Sequence, residues 1–340
     1  MNKKRAAAVA AILSAALTVG CSGNQSVNFD KTYWDENPSA TELVNVHEKL
    51  TYSVGFTKGT SAEDVGEYVP RTSGNENLSF TVGEGSSYVA ELSVEDGLYV
   101  YKTVLTVNGV YTYSGGTKEI SGDYTETTVK FKGIKDKFRP VETVKKARNT
   151  TPVSTAPSGD GSFITSGYEL KITYGEKDAT VEFKADDDSA DIYRNQTGRS
   201  PYVIKNYGKK DYIDNETAVL VFRAFAYTET LSCSYRSIEP FKGVLETLQA
   251  TTVSDSSGAQ KKSEVILKSF MGANERKFTA QGVKFATQGS YGQPVLYAFY
   301  SVDGDTSSTK TYAAKRLPLL IYQPAIFNSG YFIYTLESVN

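Results

Sequence analysis

The chain reads as a mainly β protein: a large curved antiparallel sheet or partial barrel with one short buried helix near 214–226. Three observations predict this. Apolar and polar residues alternate at period two in segment after segment; Asp-Gly and Asn-Gly pairs sit between several of those segments; and one stretch, Thr217 to Ala226, is apolar nearly all round except for Arg223. Of 340 residues, 39% are hydrophobic and 22% charged, enough apolar material for a packed core and too little charge bias for general disorder. With 37 Lys plus Arg against 39 Asp plus Glu, the formal charge is -2, which excludes a basic nucleic-acid binder.

The first element is a leader. Lys3, Lys4 and Arg5 precede an uncharged run from Ala6 to Gly20, too short for a permanent bilayer-spanning helix, so residues 1–20 read as a signal peptide. Gly20 and Cys21 follow directly. The stretch Leu17 to Cys21 resembles the lipobox of bacterial lipoproteins, with Thr18 where that family usually has Leu. The resemblance implies that Cys21 is the lipid-bearing first residue of the mature chain, held at the outer face of the bacterial cell membrane. Ordinary secretory cleavage nearby, with Cys21 a plain residue, is the other reading. Each buried methylene contributes about 0.8 kcal/mol, so two acyl chains anchor stably where one does not. Residues 21–38 lack any period and form a tether, and residues 39–340 form a single β-rich domain.

Within that domain, Val44, Val46, Leu50, Tyr52, Val54 and Phe56 share one parity of a long strand, and only Glu48 breaks it. Tyr88, Ala90, Leu92 and Val94 repeat the pattern. Asp96-Gly97 then turns the chain into 98–107, and Asn108-Gly109 is expected to turn it again, because both central residues of a type I′ turn need positive φ. Tyr168 to Tyr174 and Val181 to Ala185 alternate about a GEKD turn. Further strands are expected at 124–131, 263–270, 293–301, 308–315 and 331–336. Between Lys145 and Ser162 the sequence is rich in Ser, Thr, Pro and Gly. This stretch is either a linker at a lobe boundary or a long loop within one domain.

In DNETAVLVFRAFAY, Asp214 or Asn215 caps the predicted helix. Its all-round apolar body must be buried, most simply against a sheet face, with a strand as the runner-up. If Cys21 carries lipid, Cys233 has no intramolecular partner. The alternation of LSCSYR places Cys233 with Leu231 and Tyr235 as a small core residue.

The sequence contains no GxSxG, GxxxxGK[ST], GxGxxG or HExxH. The one histidine, His47, lies on the polar parity of its strand, so Ser-His-Asp and multi-His zinc sites lack their parts. Asp186, Asp187, Asp188 and Asp191 are a weak calcium candidate, better read as a solvated turn, and no metal or other cofactor is expected. Tyrosine is the remaining clue, with 24 in the chain. Tyr99, Tyr101, Tyr297 and Phe299 lie on strands apolar on both faces, covered either by another layer or by a ligand, and are the candidate ligand-binding residues.

From residue 213 onward the order IDNETAVLVFRAFAY, YGQPVLYAFYSVDGD, TKTYAAKRLPLLIYQP and YFIYTLESV resembles uncharacterised β-rich lipoproteins of Gram-positive bacteria. More remotely it is similar to LolA-like curved-sheet envelope proteins. The resemblance implies a scoop or partial barrel with the 214–226 segment on its concave face, and it carries no catalytic residue. The expected function is therefore a non-enzymatic, membrane-anchored envelope lipoprotein. It would bind an apolar or amphipathic ligand or act as an interaction module, its partners being membrane lipid through Cys21 and a lipid or glycan ligand. A surface glycan-binding module is the alternative, and a carboxylate-only hydrolase the third reading.

Overall fold

The structure, a computed structural model, describes residues 46–58, 69, 77–134, 137–154, 157–209, 212–224, 232–253, 262–288, 294–326 and 329–340. The leader, Cys21 and the tether lie outside the described residues. In chain order the elements are β1 (Glu48–Thr57), β2 (Ser79–Val82), β3 (Ser87–Glu95), β4 (Leu98–Tyr113), β5 (Gly116–Ile134), β6 (Lys137–Pro152), β7 (Phe163–Tyr174), β8 (Ala179–Ala185), α1 (Arg194–Arg199) and β9 (Tyr202–Ile204). They continue with α2 (Ala218–Val221), β10 (Ser232–Glu239), β11 (Val244–Thr252), β12 (Lys262–Leu267), β13 (Arg276–Thr287), β14 (Pro294–Gly304), α3 (Ser307–Ala314), β15 (Pro318–Pro324) and β16 (Tyr331–Val339).

All sixteen strands join one sheet in the order β10-β11-β13-β14-β15-β16-β1-β3-β4-β5-β6-β7-β8-β9, with β12 on β13 and β2 on β4. Every strand pair is antiparallel. The two sheet ends nearly meet. Tyr212, just beyond β9, forms a parallel bridge to Arg236 of β10, and the Ile213 amide donates to the Arg236 carbonyl at 3.0 Å. The turn after β10 is stapled to the far end as well: Arg199 donates to the carbonyls of Lys242 and Pro240, and Tyr202 donates to Pro240. Near-closure of this kind leaves little free edge for aberrant pairing.

Residues 214–224 plug the interior. Asp214 caps the segment by accepting from the Glu216 amide at 3.0 Å, and α2 is flanked by single 3₁₀ turns at Asn215–Thr217 and Phe222–Ala224. Val219, Leu220, Val221 and Phe222 are all buried, each contributing roughly 1.5–3 kcal/mol by removal from water. Phe222 packs edge-on against Phe285 and tilted against Tyr235, and the Tyr300 hydroxyl donates to the Val219 carbonyl at 2.9 Å. The buried-helix expectation therefore holds over 214–224, as short helical turns on the concave face; residues 225 and 226 of the expected helix lie outside the described residues.

Glu48 and Arg223, the two residues that break their local patterns, face each other. Both are buried, and Arg223 donates to the Glu48 carboxylate through Nη1 at 2.5 Å and Nη2 at 3.1 Å. Arg223 also donates to the Lys315 carbonyl from Nε at 3.2 Å and Nη2 at 2.9 Å.

Two expected elements are corrected. Asn108-Gly109 does not turn the chain; β4 runs through it to Tyr113 with a register shift between Val107 and Gly109, and the hairpin closes at Ser114-Gly115. The side chain of Asn108 is spent on neighbours, donating to the Glu84 carbonyl and accepting from the Gly122 amide. At Gly109 a Cβ would lie 2.3 Å from the Thr81 carbonyl oxygen, so Gly serves β2's close approach rather than a turn. The segment expected as a strand at 308–315 is α3, because Thr306 and Thr309 form a reciprocal capping box that satisfies the first amides of a helix. As for 145–162, β6 extends to Pro152 and pairs with β7 from Glu142↔Thr173 to Pro152↔Phe163, so residues 145–152 belong to the sheet, while 155 and 156 lie outside the described residues.

Candidate functional site

Between the plug and the wall formed by β3 to β7 the concave face is hollow. Two registered rows of side chains line that wall. One runs Ala90, Thr103, Thr127, Lys145, Leu170 across β3 to β7, and the next runs Tyr88, Leu105, Thr125, Ala147, Tyr168. Alternation puts each of these on the same side of the sheet as the plug. A central cavity of about 340 Å³ lies over them, bounded by Asn215, Glu216 and Val219 of the plug and by Leu296, Ile321, Gln323 and Tyr334 opposite.

Two further cavities adjoin the central one. Through Leu105, Thr125, Asn149, Gln323 and Tyr334 it shares walls with a cavity of about 230 Å³, whose further lining is mostly apolar: Phe80, Val107, Tyr111, Ile120, Ile326 and Phe332. Through Lys145, Asn215 and Glu216 it shares walls with one of about 170 Å³ that contains Asp214 and Glu239. The result is a trough with a polar centre and an apolar end, in the size range of small-molecule sites.

Charge in the centre is balanced. Lys145 Nζ lies 2.6 Å from Glu216 Oε1, both partly buried. Burial works against the Lys145 ammonium, but the Glu216 carboxylate outweighs it and holds the lysine above its ordinary range. Behind this pair, Asp214 Oδ2 accepts from Thr143 at 2.6 Å and from the Tyr174 hydroxyl at 2.5 Å, and Tyr212 lies 3.0 Å from Tyr174. Desolvation raises Asp214, although the hydrogen bonds from Thr143 and Tyr174 act the other way. Glu239 is raised by burial too. Toward the apolar end, Asp123 accepts from the Thr150 amide at 2.5 Å and from its hydroxyl at 3.1 Å. Tyr88 stacks on Tyr334 with centroids 4.7 Å apart, and Tyr334 donates to Gln323 at 2.6 Å.

The four aromatic residues singled out by sequence do not converge. Tyr99 and Tyr101 share the concave face with Thr103 and Leu105 but lie deeper in the core, Tyr99 stacked on Phe131 at 5.2 Å. Tyr297 and Phe299 occupy the opposite face. The register pairs Ala298 with Val283 and Ile321, leaving Tyr297 and Phe299 among Tyr322 and Tyr331, where both are buried. Of these four residues, none lines the trough.

The acidic turn is occupied by arginine. Arg148 reaches Asp186 at 3.2 Å and Asp188 at 2.6 Å, and Arg194 holds Asp191 at 2.6 Å. No cluster suited to a metal occurs among the described residues. His47 is exposed, with Nε2 3.0 Å from Glu91, and Cys233 is buried.

The residues that sequence reasoning missed are Lys145, Thr125, Thr127, Asn215 and Glu216. A signal was present in YTETTVKF: Thr125 and Thr127 share parity with Val129 and Phe131, so hydroxyls replace hydrocarbon on a face otherwise apolar.

No family model matches the chain, and no curated protein matches it. Among solved structures, a beta-barrel-like protein of domain of unknown function DUF1849 from Brucella abortus is similar with a TM-score of 0.42 at 7% identity. The alignment covers 86% of this chain and 97% of that one.

Proposed function

We propose that the protein is a membrane-anchored cell-envelope lipoprotein that binds an amphipathic ligand in the trough and performs no chemistry on it. One observation carries the reading: polar and apolar cavities share walls along the concave face, so one molecule with a wet head and a greasy end would satisfy both. The carboxylates nearest the centre are already engaged, Glu216 by Lys145 and Asp214 by Thr143 and Tyr174, which favours binding over acid-base work. A surface glycan module is less well supported, because stacking platforms need open ring faces. Among the described residues Tyr124, at 38%, is the one exposed aromatic side chain.

Native mass spectrometry of the mature chain, followed by solvent extraction, tests the reading. A co-purifying amphiphile, or saturable uptake of an added one, is expected; a ligand-free protein indifferent to added amphiphiles overturns it. The anchor is tested separately by Cys21→Ser in the full chain. Release from the membrane fraction is expected, and unchanged retention overturns lipidation.

A further inference from the structure

The cavities along the concave face carry their charges in a fixed order, and β6 gives the scale. Thr143 and Lys145 line the cavity of about 170 Å³, Lys145 and Asn149 the central one, and Asn149 and Thr151 the apolar one. The apolar end therefore begins about 13 Å along the strand from Lys145. Lys145 is the one cation in these three linings. On its far side the smaller cavity holds the carboxyl groups of Asp214, Glu216 and Glu239. From the apolar end inward, hydrocarbon comes first, then a cation, then carboxylates.

The two residues at the centre are within reach of a ligand. Lys145 and Glu216 line both the central and the smaller cavity, with side chains 21% and 30% exposed. An ammonium has three donors, and Lys145 gives one to Glu216 Oε1. Glu239 accepts from the Phe241 amide at 3.1 Å, while the two lysines that act on it, Lys145 and Lys242, are paired with Glu216 and Glu246. An anionic head alone would meet Lys145 but crowd the carboxylates beyond it. A cationic head alone would meet the carboxylates but crowd Lys145. A head that carries both signs in sequence satisfies each, and where it parts the Lys145–Glu216 pair it leaves neither charge alone.

We infer that the ligand is a zwitterionic amphiphile of the phosphocholine or phosphoethanolamine kind, its tail toward Phe80 and Phe332, its phosphate on Lys145 and its ammonium against Glu216 and Glu239. The inference rests on the binding reading above.

The test titrates the mature chain, below micellar concentration, with five probes of one chain length. Octyl phosphocholine carries the inferred order of charges. Octyl sulfobetaine has the same net charge with the order reversed, ammonium next to the tail and anion beyond it. Octyl phosphate is anionic only, octyltrimethylammonium cationic only, and octyl glucoside uncharged. Octyl phosphocholine is expected to bind about tenfold more tightly than each of the other four. Glu239→Gln removes a charge but keeps an oxygen that accepts from the Phe241 amide, and it is expected to bind octyl phosphocholine only as tightly as octyl phosphate. A second variant, Lys145→Met with Glu216→Gln, removes the ion pair without stranding either partner, and it is expected to bind octyl phosphocholine no more tightly than octyl glucoside. Equal or tighter binding of any other probe by the parent, or an undiminished preference in either variant, overturns the head-group inference and leaves the amphiphile reading standing. Binding of none of the five overturns both.

Discussion

The two halves of the sheet use the same alternation to opposite ends. On β10 to β14 the inward residues, Cys233, Tyr235, Leu248, Ala250, Val283, Phe285 and Tyr300, join the plug in one buried apolar cluster, and on β13 the other face is largely buried too. On β4 to β6 the corresponding positions hold Thr103, Thr125, Thr127 and Lys145, and the space above them is hollow. Hydrogen-bonded backbone is continuous through both halves. Side-chain choice along one face therefore decides which half is core and which is container. Threonine suits the second role because it keeps the β-branched fit to a pleated strand while offering a hydroxyl.

The comparison breaks most visibly at the joint between plug and sheet. Arg223→Met removes a buried cation and leaves the Glu48 carboxylate and the Lys315 carbonyl without their donor. The expected loss is about 3–5 kcal/mol, read from chemical denaturation. The double variant Glu48→Met, Arg223→Met should recover most of that loss, since no buried charge is left alone. A single variant as stable as the parent would mean that the plug is not seated as described.

Next in size is a pair of truncations, one in each half. Leu220→Ala, at a site 2% exposed among packed neighbours, is expected to cost about 2–5 kcal/mol through lost burial and a residual cavity. Thr127→Val, equally buried on the hollow side, should be neutral or mildly stabilising because it deletes an unpaired hydroxyl. Equal costs for the two would erase the distinction between packed and hollow halves.

The carboxylate behind the trough gives a smaller, pH-dependent effect. Asp214 is raised in the folded protein by desolvation, so the native state binds its proton more tightly than the unfolded chain does. Stability from this group is fully present below the ordinary aspartate value of about 3.9 and declines as pH rises through the folded value. Melting curves of the parent and Asp214→Asn across that window should diverge, the parent losing stability relative to the variant as pH increases. Asp123 and Glu239 are shifted the same way in both proteins, so the difference isolates Asp214. Parallel curves would mean that Asp214 binds its proton equally well in the folded and unfolded chains, and would remove the shift.

Much of this architecture was legible in the sequence, and the gaps have physical causes. Period two revealed the strands, and a lone apolar run revealed the plug. Glu48 and Arg223 each stood out as an interruption, yet their pairing spans 175 residues, a separation that local periodicity does not address. Asn108-Gly109 misled because the same residues that permit a tight turn also permit a bulge, and the choice is made by β2 lying across Gly109. The trough was missed for a related reason. Alternation labels a face as polar or apolar, whereas a container is a mainly apolar face with polar exceptions; Thr125 and Thr127 stand out as exceptions beside Val129 and Phe131, but the space over them is visible only once β4 and β6 flank them. The tyrosine-bearing strands left open whether another layer or a ligand covers them; another layer covers many of the rings, and hydroxyls such as those of Tyr52 at Pro318 and Tyr300 at Val219 find buried partners.

The smallest expected effect concerns the acidic turn after β8, on the hollow half's outer edge. Asp186 is drawn so close to the sheet that a Cβ on Gly167 would lie 2.0 Å from its Oδ2, and Arg148, paired in register with Gly167, grips both Asp186 and Asp188. Hydrogen bonds from Arg148 and Ser189 lower Asp188 to about 2, so it is ionised at every working pH, but as an acceptor already in use. Calcium would have to displace a guanidinium that presents matched donors to two carboxylates. Excess Ca²⁺ should therefore leave the melting temperature of the parent unchanged. In Arg148→Ala the same carboxylates are released, and a small Ca²⁺-dependent rise is expected there. A rise in the parent itself would make the aspartates a cation site and the arginine its occupant only in the ion's absence.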